Sequence, residues 1–212
     1  HVRACELQPG WPLIQAWDFN CNPMASVICQ QIGSEVHVID EIVLRDSNTP
    51  EVCTEFLRRY EAFLLRKKKP PCLYIYGDAT ARTRAKTSGK SDYAIIAQMY
   101  QHLPGVKFKI PSGNPRENDR VLAVNAKLRS VTGAIGILID PKCLHLIMDL
   151  ELVCNKPGSR ILDVPTTAEL DKGSNPQLTH LSDALGYYIV ANFPVRKPGA
   201  GIRTYNLRLV GA

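Results

Sequence analysis

Three β-rich runs in close succession, at 13–20, 25–32 and 35–44, open a chain in which helix and strand then alternate from Thr49 onward. Strands joined by a turn as short as Gly33-Ser34 pair antiparallel, because a parallel return needs a crossover of a dozen or more residues. Strands separated by helices run parallel through such crossovers. A chain that carries both patterns is restricted to an α/β fold, a mixed sheet with helices on both faces.

The first helix is expected at Thr49-Pro50-Glu51, with Thr49 as cap and Pro50 in the first position. Its apolar residues recur at Val52, Phe56, Tyr60 and Phe63. Residues 72–76 read as a short buried strand ending at Gly77-Asp78, and Ser91-Asp92 as the start of a second helix. A strand over 106–110, a helix over 118–129, a strand over 135–139 and a helix over 141–152 come next. Residues 159–167 alternate like one arm of a hairpin, and 178–192 form an apolar helix stopped before Pro194.

Nothing in the chain suggests a second core. Its 212 residues contain no internal repeat, low-complexity tract or long linker, so one domain over 1–212 is expected. An apolar fraction of 45% and a charged fraction of 22% are those of a soluble globular protein. With no bilayer-length apolar run and no signal segment, the expectation is an intracellular protein without a membrane partner. Seven cysteines, an odd number without a CxxC pair, argue against a disulfide framework and against a zinc knuckle, so they read as reduced core residues.

The formal charge of +6 is a weak pointer to nucleic acid. Its distribution says more. Arg82, Arg84, Lys86 and Lys90 crowd one stretch directly after Asp78, where they can meet phosphate, and Lys107, Lys109, Arg116 and Arg120 crowd another.

Three acids are candidates for chemistry. Asp18 and Asp78 each end an apolar strand, where a carboxylate is expensive unless a cation meets it. Ligand crevices of open α/β sheets lie at such strand ends, although an acid there can also simply begin a turn. Asp183 sits inside an apolar helix beside the packed stripe Leu181, Leu185, Tyr188 and Ile189, with His180 three residues back on the same face. A His–Asp pair within the helix and a metal site both account for that placement. Clustered carboxylates repel one another unless divalent cations neutralise them, and hard oxygen donors select Mg²⁺ or Mn²⁺. Two such ions about 3.5–4 Å apart can clamp a scissile phosphate without a protein nucleophile, and none is evident here.

Other charged positions have plainer readings. Asp40-Glu41 suits a salt bridge or strand end, Asp92 a helix start, Asp140 a turn before Pro141, and 66–69 a solvated helix end. Ser88-Gly89-Lys90-Ser91 mimics the end of a phosphate-binding loop, but the required earlier glycine is replaced by Arg84.

Over nearly its full length the chain resembles the nuclease domain of the large terminase subunit of tailed bacteriophages. The resemblance runs through Ala16-Trp17-Asp18-Phe19 with Pro23, then Tyr76-Gly77-Asp78 with Ser91-Asp92-Tyr93. It continues through Asn114-Pro115-Arg116 with Asp119-Arg120, Ile139-Asp140-Pro141 with His145, and Thr179-His180 with Asp183-Ala184. It implies a ribonuclease H-like fold with an added β-hairpin near 159–172. It also implies Asp18, Asp78 and Asp183 as ligands of two Mg²⁺ or Mn²⁺ ions, with His180 as an optional further ligand. The expected activity is cleavage of concatemeric viral duplex DNA in the cytoplasm of an infected bacterial host. The expected partners are double-stranded DNA, the packaging ATPase domain, the small terminase subunit and the portal protein. The ATPase is absent here, as in an excised domain or a product lacking the motor. A junction resolvase or ribonuclease of the same fold, and a non-catalytic module docking on DNA or portal, are the competing readings.

Overall fold

The computed structural model describes residues 1–20, 22–66, 68–83, 89–155, 162–163 and 178–195. Its centre is a six-stranded sheet built from β1 (Leu13–Asp18), β2 (Met24–Ile32), β3 (Glu35–Leu44), β4 (Leu73–Tyr76), β5 (Val106–Phe108) and β6 (Ile137–Ile139). The spatial order is β5-β4-β1-β2-β3-β6. The opening meander pairs antiparallel, whereas β4 lies parallel to β1, β5 to β4, and β6 to β3. This is the mixed sheet that the sequence requires.

Alternation along β1 divides the core. Leu13 and Trp17 point into one layer with α1 (Thr49–Leu64) and α2 (Asp92–Met99), where Phe56, Tyr60, Tyr93 and Tyr100 are buried. Ile14 and Ala16 point into the other, against α3 (Glu117–Leu128), α4 (Leu144–Leu152) and α5 (His180–Asn192). Among the described residues no helix is long and apolar enough to cross a membrane.

Several boundaries differ from expectation for local reasons. The first helix is capped by Asn48 rather than Thr49, because the Asn48 side chain accepts from the Glu51 amide. Residues 141–143 are a turn instead of the start of α4, closed by the Cys143 amide on the Asp140 carbonyl and by the Lys142 amide on the Asp140 carboxylate. Leu162–Asp163 (β8) pairs with Cys154–Asn155 (β7) as a short antiparallel ribbon, and the rest of the expected 159–172 hairpin lies outside the described residues.

A β-bulge shapes the far side of the sheet. Ile28 pairs with Asp40 while Cys29 pairs with Val38, so Ile39 is the extra residue. Past this inserted residue the side chains of β3 exchange faces. Val36 and Val38 pack with α3, α4 and α5, whereas Ile42 packs with α1. Asp40 accordingly meets Arg59 and Tyr60 of α1, while Glu41 turns to α4.

Candidate active site

Two strand ends supply the first acids. Ala16 pairs with Tyr76 across the parallel β1/β4 ladder, so Asp18 and Asp78, each two residues further on, stand level at the same edge of the sheet. Gly77 lets the chain turn there. A Cβ on it would lie 2.8 Å from both the Phe19 ring and the Tyr93 hydroxyl oxygen. Trp17 and Phe19 stack, Tyr93 meets Phe19 edge-on, and the Tyr93 hydroxyl donates to the Asp78 carbonyl at 2.7 Å. The Asp78 carboxylate is buried. Its Oδ1 accepts from the amides of Thr80 (2.7 Å) and Ala81 (3.0 Å) and from the Thr80 hydroxyl. No described residue donates to its Oδ2. The turn-forming role is therefore real, and it engages one oxygen only.

The start of α5 meets these strand ends. His180 Nδ1 lies 2.8 Å from Asp18 Oδ2, and Arg120 Nη2 of α3 lies 2.6 Å from Asp183 Oδ1. The pairing of His180 with Asp183 inside the helix, one of the two expectations for this segment, does not form; each residue instead finds a partner on another element. The Arg120 guanidinium also sits 4.6 Å from the centre of the Tyr187 ring. Gly186 leaves it room, since a Cβ there would come within 3.2 Å of Arg120 Cβ.

Electrostatics confirm the convergence. Burial opposes the His180 imidazolium, but the hydrogen bond and charge of Asp18, helped by Asp149 and Asp183, outweigh it and raise its pKa above 6.5. Burial raises the Asp183 pKa, Arg120 pulls it back, and Asp18 and Glu117 push it further up. The Tyr187 hydroxyl is pushed up to about 12, first by burial, with Asp78, Asp18 and Asp183 all adding to the rise against Arg120. All three acids are within electrostatic reach of that one hydroxyl.

No family model matches the chain, and no curated protein matches it. Solved structures do. The large terminase of thermophilic bacteriophage D6E, in complex with ADP, superposes with a TM-score of 0.57 at 14% identity, over 90% of this chain and 42% of that one. The P22 large terminase nuclease domain superposes with a TM-score of 0.56 at 12% identity, over 91% of this chain and 87% of that one. The fold is that of a large-terminase nuclease domain, ribonuclease H-like. The chain spans about two-fifths of the D6E large terminase.

Within this terminase-type fold, a divalent cation is the group to test against the residues. Three carboxylates are the right donors for Mg²⁺ or Mn²⁺ by charge and hardness, and the imidazole is a softer donor that suits Mg²⁺ less well. Among the described residues, no three His, Cys, Asp or Glu side chains are close enough to hold one ion in this arrangement. Instead, His180 stands on the carboxylate of Asp18 and Arg120 on that of Asp183.

The other predicted residues are placed apart from the acids or lie outside the described residues. Arg82 donates to the Ile110 carbonyl at 2.9 Å and Lys90 to Gln98 at 2.7 Å, while Arg84 and Lys86 are not among the described residues. Lys107 and Lys109 stand over the Tyr74 ring. Asp40 is bound by Arg59 and Tyr60, so the salt-bridge reading of Asp40-Glu41 holds for Asp40. Sequence reasoning noted Arg120 in a basic cluster and in a segment of the family resemblance, without a role at the acids, and passed over Asp149. A signal for Asp149 was present, since it is an acid inside the apolar helix Leu144–Leu152, as Asp183 is inside α5.

Proposed function

We propose that this chain is a metal-dependent endonuclease that cuts concatemeric viral duplex DNA during genome packaging. Asp18, Asp78 and Asp183 are its proposed ligands for two Mg²⁺ or Mn²⁺ ions, with His180 as a further ligand. The observation that carries the reading is the meeting of Asp18 and Asp78, level on two parallel strands, with the His180 and Asp183 turn of α5.

Held by Asp18, Asp78 and Asp183, the ions would supply activation of water and charge stabilisation of the leaving oxygen. The protein's own residues do the positioning. The amides of Thr80 and Ala81 fix Asp78 through Oδ1, and no described residue donates to Oδ2. Arg120 holds Asp183 and His180 holds Asp18 at the edge of the site. Arg82, Arg84, Lys86 and Lys90 are the proposed contacts to the phosphate backbone. Double-stranded DNA is the proposed substrate, and the ATPase domain, small terminase subunit and portal protein are the proposed packaging partners. The proposed setting is the cytoplasm of an infected bacterial host, with 1–212 acting as one nuclease domain.

Incubation with linear duplex, a four-way junction and an RNA–DNA hybrid, in Mn²⁺ or Mg²⁺ and without ATP, tests this directly. Cleavage of linear duplex that a chelator stops is expected. Asp18→Asn, Asp78→Asn and Asp183→Asn should each lower the rate by about a thousandfold or more, since the ligands act as a unit. Chelator-resistant cutting, or near-normal activity in any of the three variants, overturns the assignment. Preference for the junction or the hybrid points to a resolvase or ribonuclease, and absence of both cleavage and Mn²⁺ binding to a docking module.

A further inference from the structure

All three helices on the site face begin without a side-chain cap of their own, and two of them, α4 and α5, are capped by a carboxylate from elsewhere in the chain. The residue before α5, Thr179, has φ +81° and makes no side-chain hydrogen bond to the helix. A β-branched residue in that left-handed region is strained, and it leaves the first amides of the helix without a local acceptor. The acceptor comes from α4. Asp149 Oδ2 receives the amides of Leu181 and Ser182, each at 3.0 Å. Asp149 is 1% exposed, lies 32 residues from Leu181, and bears on the site described above otherwise only through its charge on His180.

The same device recurs one step earlier. The cap residue of α4, Cys143, makes no side-chain hydrogen bond to that helix. Buried Glu41, turned this way by the bulge in β3, receives the amides of His145 and Leu146, each at 2.9 Å. A carboxylate on the sheet thus seats α4, and a carboxylate on α4 seats α5.

We propose that Asp149 is a positioning residue, the N-cap supplied from α4 that fixes the first turn of α5 and so places His180 and Asp183 against Asp18. Anchoring in this way suits a site built on a helix terminus. The first turn is where a helix frays, and the two side chains that must be held lie in it. Glu41 stands behind Asp149, holding the start of the helix on which Asp149 rides. The consequence for metal binding and cleavage rests on the nuclease reading, while the cap itself does not.

The test compares Asp149→Ala and Asp149→Asn in the full chain, because asparagine keeps an acceptor oxygen at the same place. Amide hydrogen exchange reads the cap without reference to activity. Alanine should speed exchange at Leu181 and Ser182 by roughly five- to tenfold while the β2/β3 ladder stays protected, and asparagine should restore protection. Mn²⁺ affinity measured by calorimetry should fall about tenfold in the alanine variant and recover in the asparagine variant. Unchanged exchange at the two amides in the alanine variant overturns the proposal. So does a uniform rise across the sheet, which marks a general loss of stability. If the alanine variant does not fold, the asparagine variant decides: protected amides support the cap, and exposed amides overturn it. A wild-type chain that neither binds Mn²⁺ nor cleaves DNA defeats the nuclease reading and leaves the exchange result standing.

Discussion

The two faces of the sheet start their helices differently. On the α1/α2 face the caps are local: Asn48 accepts from the Glu51 amide, and Ser91 from the Ala94 amide. That layer is aromatic, with Phe56 packed on Tyr60 and Tyr100. On the face of α3, α4 and α5 the packed residues include the smaller Ala16, Ala25, Ala123 and Ala184, and α4 and α5 start on buried carboxylates from distant parts of the chain. One face combines hydrophobic burial, which has no preferred direction, with bonds that Arg59 and Tyr60 in the body of α1 donate to Asp40. The other adds hydrogen bonds that set the position of a helix end to within a fraction of an ångström. The acids of the candidate site belong to the second face and its edge.

If the aromatic face contributes stability and not geometry, a large cavity there should leave the site intact. Phe56→Ala is expected to lower stability by about 3–5 kcal/mol, read by denaturant unfolding. At temperatures where the variant is still folded, Mn²⁺ affinity should match wild type. A loss of affinity in folded protein would show that the two faces are coupled.

Next in size is a pH effect on the capping side. Burial raises the Asp149 pKa from 3.8 to about 6, against the amides of Ser182, Thr179 and Leu181 and the charge of His180, which all favour the ionised form. Arg120 and Asp183 line the same cleft as Asp149. A raised acid binds its proton more tightly in the folded chain than in the unfolded one. Its contribution is therefore fully present below about pH 4 and is lost as pH rises towards 6. The difference in unfolding free energy between wild type and Asp149→Asn, measured on metal-free protein, should fall by an amount on the order of 3 kcal/mol across that window. A flat difference from pH 4 to 7 would mean that Asp149 is ionised throughout, like an ordinary local cap.

The same contrast explains which features the sequence disclosed. Mixed pairing was legible because it depends on turn length and on periodicity along the chain. Asp18 and Asp78 were legible as strand ends, and the Ser91 cap as a local signal. Asn48 was misplaced by one residue, since both Asn48 and Thr49 are good caps and only the backbone angles decide. The partners of the site residues were not legible at all. Arg120 is 63 residues from Asp183, and Asp18 is 162 from His180. The nearer His180–Asp183 pairing was expected because spacing along one helix is the only proximity that a sequence displays.

A smaller effect tests the strand-end turn that joins both faces. In Gly77→Ala the new methyl would press on the Phe19 ring, the Tyr93 hydroxyl and the Trp17 carbonyl. Backbone and a fixed hydroxyl yield less easily than a flexible side chain, so overpacking of about 1–3 kcal/mol is expected. The Tyr93 bond to the Asp78 carbonyl should be displaced with it, and Mn²⁺ affinity should fall by more than the loss of stability alone explains. Full affinity in the variant would show that Asp78 is placed without Gly77.

The smallest effect expected is at Asn48, and it is the control on the whole contrast. Asn48 is exposed, and its cap is shared with neighbours: Ser47 and the Asn48 amide both donate to the Glu51 carboxylate. Asn48→Ala removes one acceptor at the start of α1, with a loss of about 1 kcal/mol. For a chain of this length that corresponds to a fall in Tm of roughly 2–4 °C. Because α1 carries none of the site residues, Mn²⁺ affinity and cleavage should not change. Asp149→Ala removes an acceptor of the same kind at the start of α5 and should change both. A loss of activity in Asn48→Ala comparable to that in Asp149→Ala would mean that either cap acts only through overall stability, and that the carboxylate from α4 has no particular bearing on the site.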